Sequence, residues 1–348
     1  MAERVLATPM SERLGKGCEL PLEDSELLLS VCEVLRSRVE TAPTAARDEA
    51  IFFYGFLDEP TRRIGLFDER EYYMGELALI AGGSNRLLFH REEARRWLDR
   101  AEASFTRSAN GLAHVARVAY QRLALALEER RFNEVLELAP LWVESFESMG
   151  LAEDALKCRF LEGIALGETS EIDGAVAVFL DICRRAEDQR NLRLIAQASN
   201  NLTQFYRALG NFDEAMVYAR KALPLLKQLD NRVGLVKLQW QVGSILREQG
   251  KLNEAMRAYR EALDESRAVG MRGDVAALHL VLADVMLDAG QDRQAEWEVR
   301  AALPIIDEEQ MVPEGFAALS LLRNALRYQQ VDRKALRELH GYFGDSQA

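Results

Sequence analysis

Gly210, Gly250 and Gly290 stand forty residues apart, and so do Ala215, Ala255 and Ala295. Ala175 precedes that series and Ala335 follows it, in register. The phrases behind the alanines match as well: Arg220-Lys221-Ala222-Leu223-Pro224, Arg260-Glu261-Ala262-Leu263-Asp264 and Arg300-Ala301-Ala302-Leu303-Pro304. A fixed period of about 20–50 residues marks a solenoid, a stack of small units that cannot bury their apolar faces alone. Each unit then needs only its neighbours, so 348 residues do not have to be divided among ordinary globular cores.

One period shows what the unit is. Leu192, Ile195, Ala196, Leu202, Tyr206 and Leu209 recur at helical spacing. Gly210 then punctuates the pattern, as a left-handed residue at a helix C-terminus does. Asn211 or Asp213 is placed to cap a second helix, whose stripe is Phe212, Ala215, Met216, Ala219, Ala222, Leu223 and Leu226. The unit is a helix, a tight turn and a second, antiparallel helix. The same grammar predicts units at 113–147, 153–186, 233–267 and 275–307. A weaker unit at 66–105 runs one residue out of phase, and Gly82-Gly83-Ser84 reads as a loop. A last one, 314–343, has Gln330 in place of the glycine and serves as a C-terminal cap, followed by a tail at 344–348.

The first 65 residues differ. Residues 1–19 read as a flexible tail, and 20–65 as a helical segment. Glu23 to Val39 is amphipathic through Leu27, Leu28, Val31, Val34 and Leu35; Thr41-Ala42-Pro43-Thr44 breaks it; Ala45 to Leu57 is helical again. A stack needs a cap over its first unit, which this segment supplies. The alternative is a docking or self-association element, given the dense aromatics Phe52, Phe53, Tyr54, Phe56, Tyr72 and Tyr73.

These residues resemble the tetratricopeptide repeat (TPR) family. That family shows a small residue in helix A, an aromatic three positions on, an alanine early in helix B and another seven residues later. Gly243, Ala255 and Ala262 fill three of those places, with Leu246 standing for the aromatic; Tyr206, Ala215 and Ala222 fill three in the preceding unit. The resemblance spans 66–343 and is to the forty-residue type found in bacterial TPR proteins. It implies an all-α fold: a right-handed superhelical TPR solenoid of about seven antiparallel helix pairs with a helical N-terminal cap. It also implies that helices A line a concave, peptide-binding groove. The residues this places in the groove are Arg117, Tyr120, Gln121 and Lys157; then Gln197, Asn200, Gln204 and Arg207; then Lys237, Trp240, Gln241, Ser244 and Arg247. Amides hydrogen-bond an extended peptide backbone, Arg and Lys take carboxylate or phosphate, and Trp and Tyr supply anchor area. The competing reading is structural: Asn200 and Asn201 satisfy backbone between units, while Arg207 and Arg247 pair with acids such as Glu248.

Chemistry elsewhere is sparse. The net charge of −12 disfavours the clustered cations that grip phosphate backbones, so no nucleic-acid partner is expected. Cys18, Cys32, Cys158 and Cys183 form no C-x-x-C and read as small apolar fillers in a reducing compartment. No stretch approaches the roughly 20 apolar residues of a membrane span, and Met1 to Glu19 lacks a signal-peptide core. A cytoplasmic protein without membrane partner, metal or cofactor is expected. No G-x-S-x-G, Walker A loop or metal-spaced histidine pair occurs. His279 reads as packed, and Glu128-Glu129, Arg95-Arg96 and Asp307-Glu308 as solvated faces. The expected function is that of a non-enzymatic TPR adaptor or regulatory sensor with a protein or peptide ligand. The alternatives are a self-assembling scaffold subunit, with a second copy as partner, or the regulatory partner of a separate effector or DNA-binding chain.

Overall fold

A computed structural model of the chain describes residues 2–7, 25–59, 67–109, 111–311 and 318. Every regular element among them is helical. The first five helices are α1 (Ala2–Ala7), α2 (Ser25–Arg38), α3 (Pro43–Asp58), α4 (Phe67–Leu87) and α5 (Arg91–Arg107). They are followed by α6 (Gly111–Glu128), α7 (Phe132–Ser148), α8 (Ala152–Glu168), α9 (Ile172–Asp188) and α10 (Leu192–Ala208). The series closes with α11 (Phe212–Gln228), α12 (Arg232–Glu248), α13 (Leu252–Val269), α14 (Arg272–Asp288) and α15 (Asp292–Glu308). The expected unit at 314–343 and the tail at 344–348 lie outside the described residues, residue 318 apart.

The backbone repeats at half the interval of the sequence. From α7 onward each helix starts twenty residues after the last, α13 being one residue longer than the others. The turns carry one residue at positive φ at every twentieth position: Arg130, Gly150, Ser170, Arg190, Gly210, Asp230, Gly250, Gly270, Gly290 and Gln310. That residue lets the chain bond back onto the helix it leaves. Gly210 N–H donates to the Arg207 carbonyl and Asn211 N–H to that of Tyr206, both at 2.9 Å. Gly is the unstrained choice at φ +73°, but Ser170 at +67° and Asp230 at +46° accept it for about 1–2 kcal/mol each. Glycine alone therefore shows only part of the rhythm. Capping is uneven too. Asn211 makes no side-chain cap bond, contrary to the sequence reading. Asn191 and Asn231 do cap, accepting from Leu194 N–H at 3.1 Å and Gly234 N–H at 2.8 Å.

The chain divides into two compact units, residues 1–171 and 172–348. In the first, Leu28, Val31 and Leu35 of α2, Phe53 and Leu57 of α3, Leu77 of α4 and Leu98 and Phe105 of α5 form one buried cluster. The aromatics of the N-terminal segment belong to it: Phe53 and Tyr73 are buried, and Phe52, Tyr54, Phe56 and Tyr72 pack against it. Residues 2–7, read from sequence as tail, are helical, with Ala2 and Val5 in the same cluster. Gly82 and Gly83 lie inside α4 rather than in a loop. Gly82, like Gly75 in the same helix, is there for proximity. A Cβ on Gly75 would meet the Phe105 ring at 2.5 Å, and one on Gly82 would meet Leu98 at 2.9 Å, so α5 seats directly on the backbone of α4.

In the second unit the same device recurs with the aromatic on helix B. A Cβ on Gly243 of α12 would meet the Tyr259 ring of α13 at 2.7 Å. Tyr259 is fully buried, and its hydroxyl lies 3.0 Å from Ser244 Oγ. Leu278, Leu282 and Ala283 of α14 and Ala295, Val299 and Ala302 of α15 continue that core. Among the described residues Cys32, Cys158 and Cys183 are buried free thiols; Cys18 lies outside them.

Gly75→Ala is expected to lower stability by about 1–3 kcal/mol in urea denaturation, because the Phe105 ring must move. Gly83→Ala, whose Cβ would meet Gln121 at an ordinary 3.6 Å, should be neutral or stabilising by up to about 1 kcal/mol. Equal effects would show that close helix approach is not what the glycines provide.

Candidate ligand-binding faces

In the first unit the A helices α4, α6 and α8, with the end of α2, enclose a cleft of about 460 Å³. The four groove residues that the sequence assigns to this region, Arg117, Tyr120, Gln121 and Lys157, all line it. Arg36, Gly83 and Arg86 line it too and were missed. Arg36 sits in the segment read as a cap, and Gly83 in the supposed loop.

Behind the cleft lies Glu76 of α4, fully buried. Arg36 of α2 and Arg117 of α6 both donate to its carboxylate. Burial opposes ionisation of Glu76, but the two guanidiniums outweigh it and hold the carboxyl below its ordinary range. This pair of bonds ties the N-terminal segment to two helices of the repeats. Arg86 Nε donates to Gln121 Oε1 at 3.1 Å, and the Arg86 guanidinium also reaches Glu128. Arg95 of α5 reaches Glu129, whose side chain is only 8% exposed. The runs Glu128-Glu129 and Arg95-Arg96, read as solvated, are thus partly interhelical. Arg95, Glu128 and Glu129 cross between helices, while Arg96 stays exposed and pairs within α5.

In the second unit the A helices are α10, α12 and α14. Arg207 of α10 pairs with Glu248 of α12 at 2.5 Å. Arg247 of α12 pairs with Asp284 and Asp288 of α14 at 2.7 and 2.6 Å. These arginines form a ladder between successive A helices. Ser244 is likewise committed, to the Trp240 carbonyl and to Tyr259. Gln197, Gln204 and Lys237 are exposed, and Asn200, Trp240 and Gln241 are half-buried. Asn200 Oδ1 and Gln241 Oε1 have no hydrogen-bond donor. Asn201 Nδ2 donates to the Gln197 carbonyl at 2.9 Å, within its own helix.

His279 of α14 is buried and fully engaged. Arg267 Nη2 stands 2.9 Å from Nε2 and can only donate, so Nε2 accepts and the ring proton is on Nδ1, 2.6 Å from Glu298 Oε2. Among the described residues no cluster of His, Cys, Asp and Glu could hold a metal, and no helix is long and apolar enough to cross a membrane.

The family model described as Tetratricopeptide repeat matches residues 194–268, covering α10 to α13 almost completely. A comparison with curated proteins returns no match. Several solved structures share the fold. The apo form of RapI superposes with a TM-score of 0.61 at 13% identity, over 82% of this chain and 99% of that one. Aspartyl phosphate phosphatase F from Bacillus subtilis gives 0.55 at 14% identity, over 81% and 74%. NprR in complex with its cognate peptide NprX gives 0.56 at 16% identity, over 91% and 89%. At such identities the likeness speaks for the fold, that of TPR-like helical solenoids.

The depressed Glu76 pKa has a stability consequence. Its contribution is present above the unfolded value near 4.5 and is lost as the pH falls through the folded value. Glu76→Gln should cost about 3–5 kcal/mol at neutral pH, since two guanidiniums lose their carboxylate. The gap between wild type and variant should shrink in urea titrations repeated toward about pH 3. A gap independent of pH would show that the carboxylate charge is not what holds α2.

Proposed function

This chain is a tetratricopeptide-repeat protein, and from that premise we propose that it binds a peptide, or an extended segment of a partner protein, along its A helices. It acts as a non-enzymatic adaptor or regulatory sensor. The observation that carries the reading is the pair of amides on α10 and α12. Asn200 Oδ1 and Gln241 Oε1 lack donors, so either amide can turn outward to a peptide N–H without giving up an acceptor bond it now makes. Exposed Gln197, Gln204 and Lys237 flank them on the same helices, and Trp240 offers apolar area. The peptide complex of NprR, a protein of this fold, supports the class of ligand. Arg207, Arg247 and Ser244 enter as supports of the wall, because the two arginines are ion-paired to the next A helix and the Ser244 hydroxyl is hydrogen-bonded. The scaffold alternative has less support. The aromatics that would drive self-association, Phe53 and Tyr73 above all, are packed into the core of the first unit.

The test is affinity capture from a native lysate on the full chain, beside the Asn200→Leu/Gln241→Leu double variant. Asn200→Leu keeps the branched four-atom side chain and Gln241→Leu removes one heavy atom, and circular dichroism should be unchanged. Loss of two peptide hydrogen bonds should weaken retention of a specific partner about tenfold or more. Equal retention by both proteins, or no retention by wild type, would sink the proposal.

A further inference from the structure

Phe89 is the turn residue between α4 and α5, at φ +60°. Its side chain is 76% exposed, more than any other large apolar side chain among the described residues. A bulky residue in the left-handed region is strained, and glycine holds the corresponding place in later turns without that cost. Exposed as it is, Phe89 recovers little of the strain by packing within the chain. The turn is also firmly held. Phe89 N–H donates to the Arg86 carbonyl at 3.0 Å and His90 N–H to that of Asn85 at 2.9 Å. The His90 ring stands 3.3 Å from the Arg47 guanidinium of α3. A strained, exposed ring on a fixed turn is a preorganised anchor.

The same unit holds a hollow that fits it. Leu127, Phe132 and Ile164 line a surface depression of about 250 Å³, with Glu128, Arg130 and Glu168 as its polar members. A cavity of about 150 Å³ already holds a benzene ring, so one aromatic side chain can enter. The Arg130 guanidinium lies 5.3 Å over the Phe132 ring and, being mostly exposed, can take a second ring on its other side. We propose that the occupant is Phe89 of a second copy of this chain, and that the two copies exchange this contact reciprocally.

Phe89 follows the C-terminal end of α4, and the hollow lies at the C-terminal ends of α6 and α8. Helix α6 packs against both α4 and α8, so ring and hollow share one edge of the first unit. A two-fold axis between them satisfies both contacts at once, as an isologous interface requires. Exposed Arg91 and Glu92 follow Phe89, while Glu168 and Arg130 line the hollow, so each charge on one side has an opposite on the other. Glu128 is already paired with Arg86. An aromatic side chain buries about 150–250 Å². Two rings and the surfaces they cover therefore stay under the roughly 1,200 Å² of stable interfaces, which makes the dimer weak and concentration-dependent. It closes at two copies, so it builds no scaffold, and it uses none of the core aromatics. The inference does not depend on the peptide reading, whose amides are in the other unit.

The experiment is sedimentation equilibrium of the full chain from about 1 to 200 μM. A monomer–dimer equilibrium that stops at two copies is expected. Phe89→Gly should weaken the dimer tenfold or more without lowering Tm, because glycine is unstrained at that turn. Ile164→Glu, which puts a charge into the hollow, should weaken it as much, with circular dichroism unchanged. A wild type that stays monomeric across the range, a dimer that either variant leaves intact, or growth beyond two copies would overturn the proposal.

Discussion

Every helix from α6 to α15 is closed by a turn residue at positive φ, the second after its last residue; only at α13 does the extra residue bring Gly270 directly after the helix, still on the count of twenty. Because the turn is this short, the next helix must start at once and run back antiparallel. Its start is fixed to the residue, and so is the face it presents. Ala215, Ala255 and Ala295 reach the same depth in successive units because each lies five positions past a left-handed glycine. Core packing, the interhelical ion pairs and the lining of both candidate faces inherit their register from that backbone device.

Small residues then decide which helices lie closest. Gly75 and Gly82 of α4, one heptad apart, receive Phe105 and Leu98, and Gly243 of α12 receives Tyr259. In each case a ring or branched side chain occupies the volume of a missing Cβ, so dispersion contacts replace what would be a void. A cavity can then persist on the other side of the same helix, as at Gly83, because rigidity there comes from the packed side.

The forty-residue period, the helix pairs and their apolar stripes were legible because they depend on local spacing. The twenty-residue backbone period was not, because Arg130, Ser170, Arg190, Asp230 and Gln310 occupy a conformation that composition associates with glycine. Gly82-Gly83-Ser84 misled for the converse reason: glycines serving close approach look like glycines serving a turn. Of the candidate faces, the side chains of the A helices could be picked out by phase alone. Which of them are free could not. The bonds of Arg207 to Glu248, Arg247 to Asp288 and Arg36 and Arg117 to Glu76 each join helices about forty residues apart, and no local pattern signals them.

The uniform twenty-residue step has an evolutionary corollary. A single insertion within a helix rotates everything beyond it by about 100°, taking alanines out of the core and arginines away from their acids. A twenty-residue insertion would restore the turn but exchange the A and B roles of all later helices. Length can thus change without damage only by whole helix pairs. Descendants of this chain should differ in size by multiples of forty residues, with smaller differences confined to the segments before α7 and after α15.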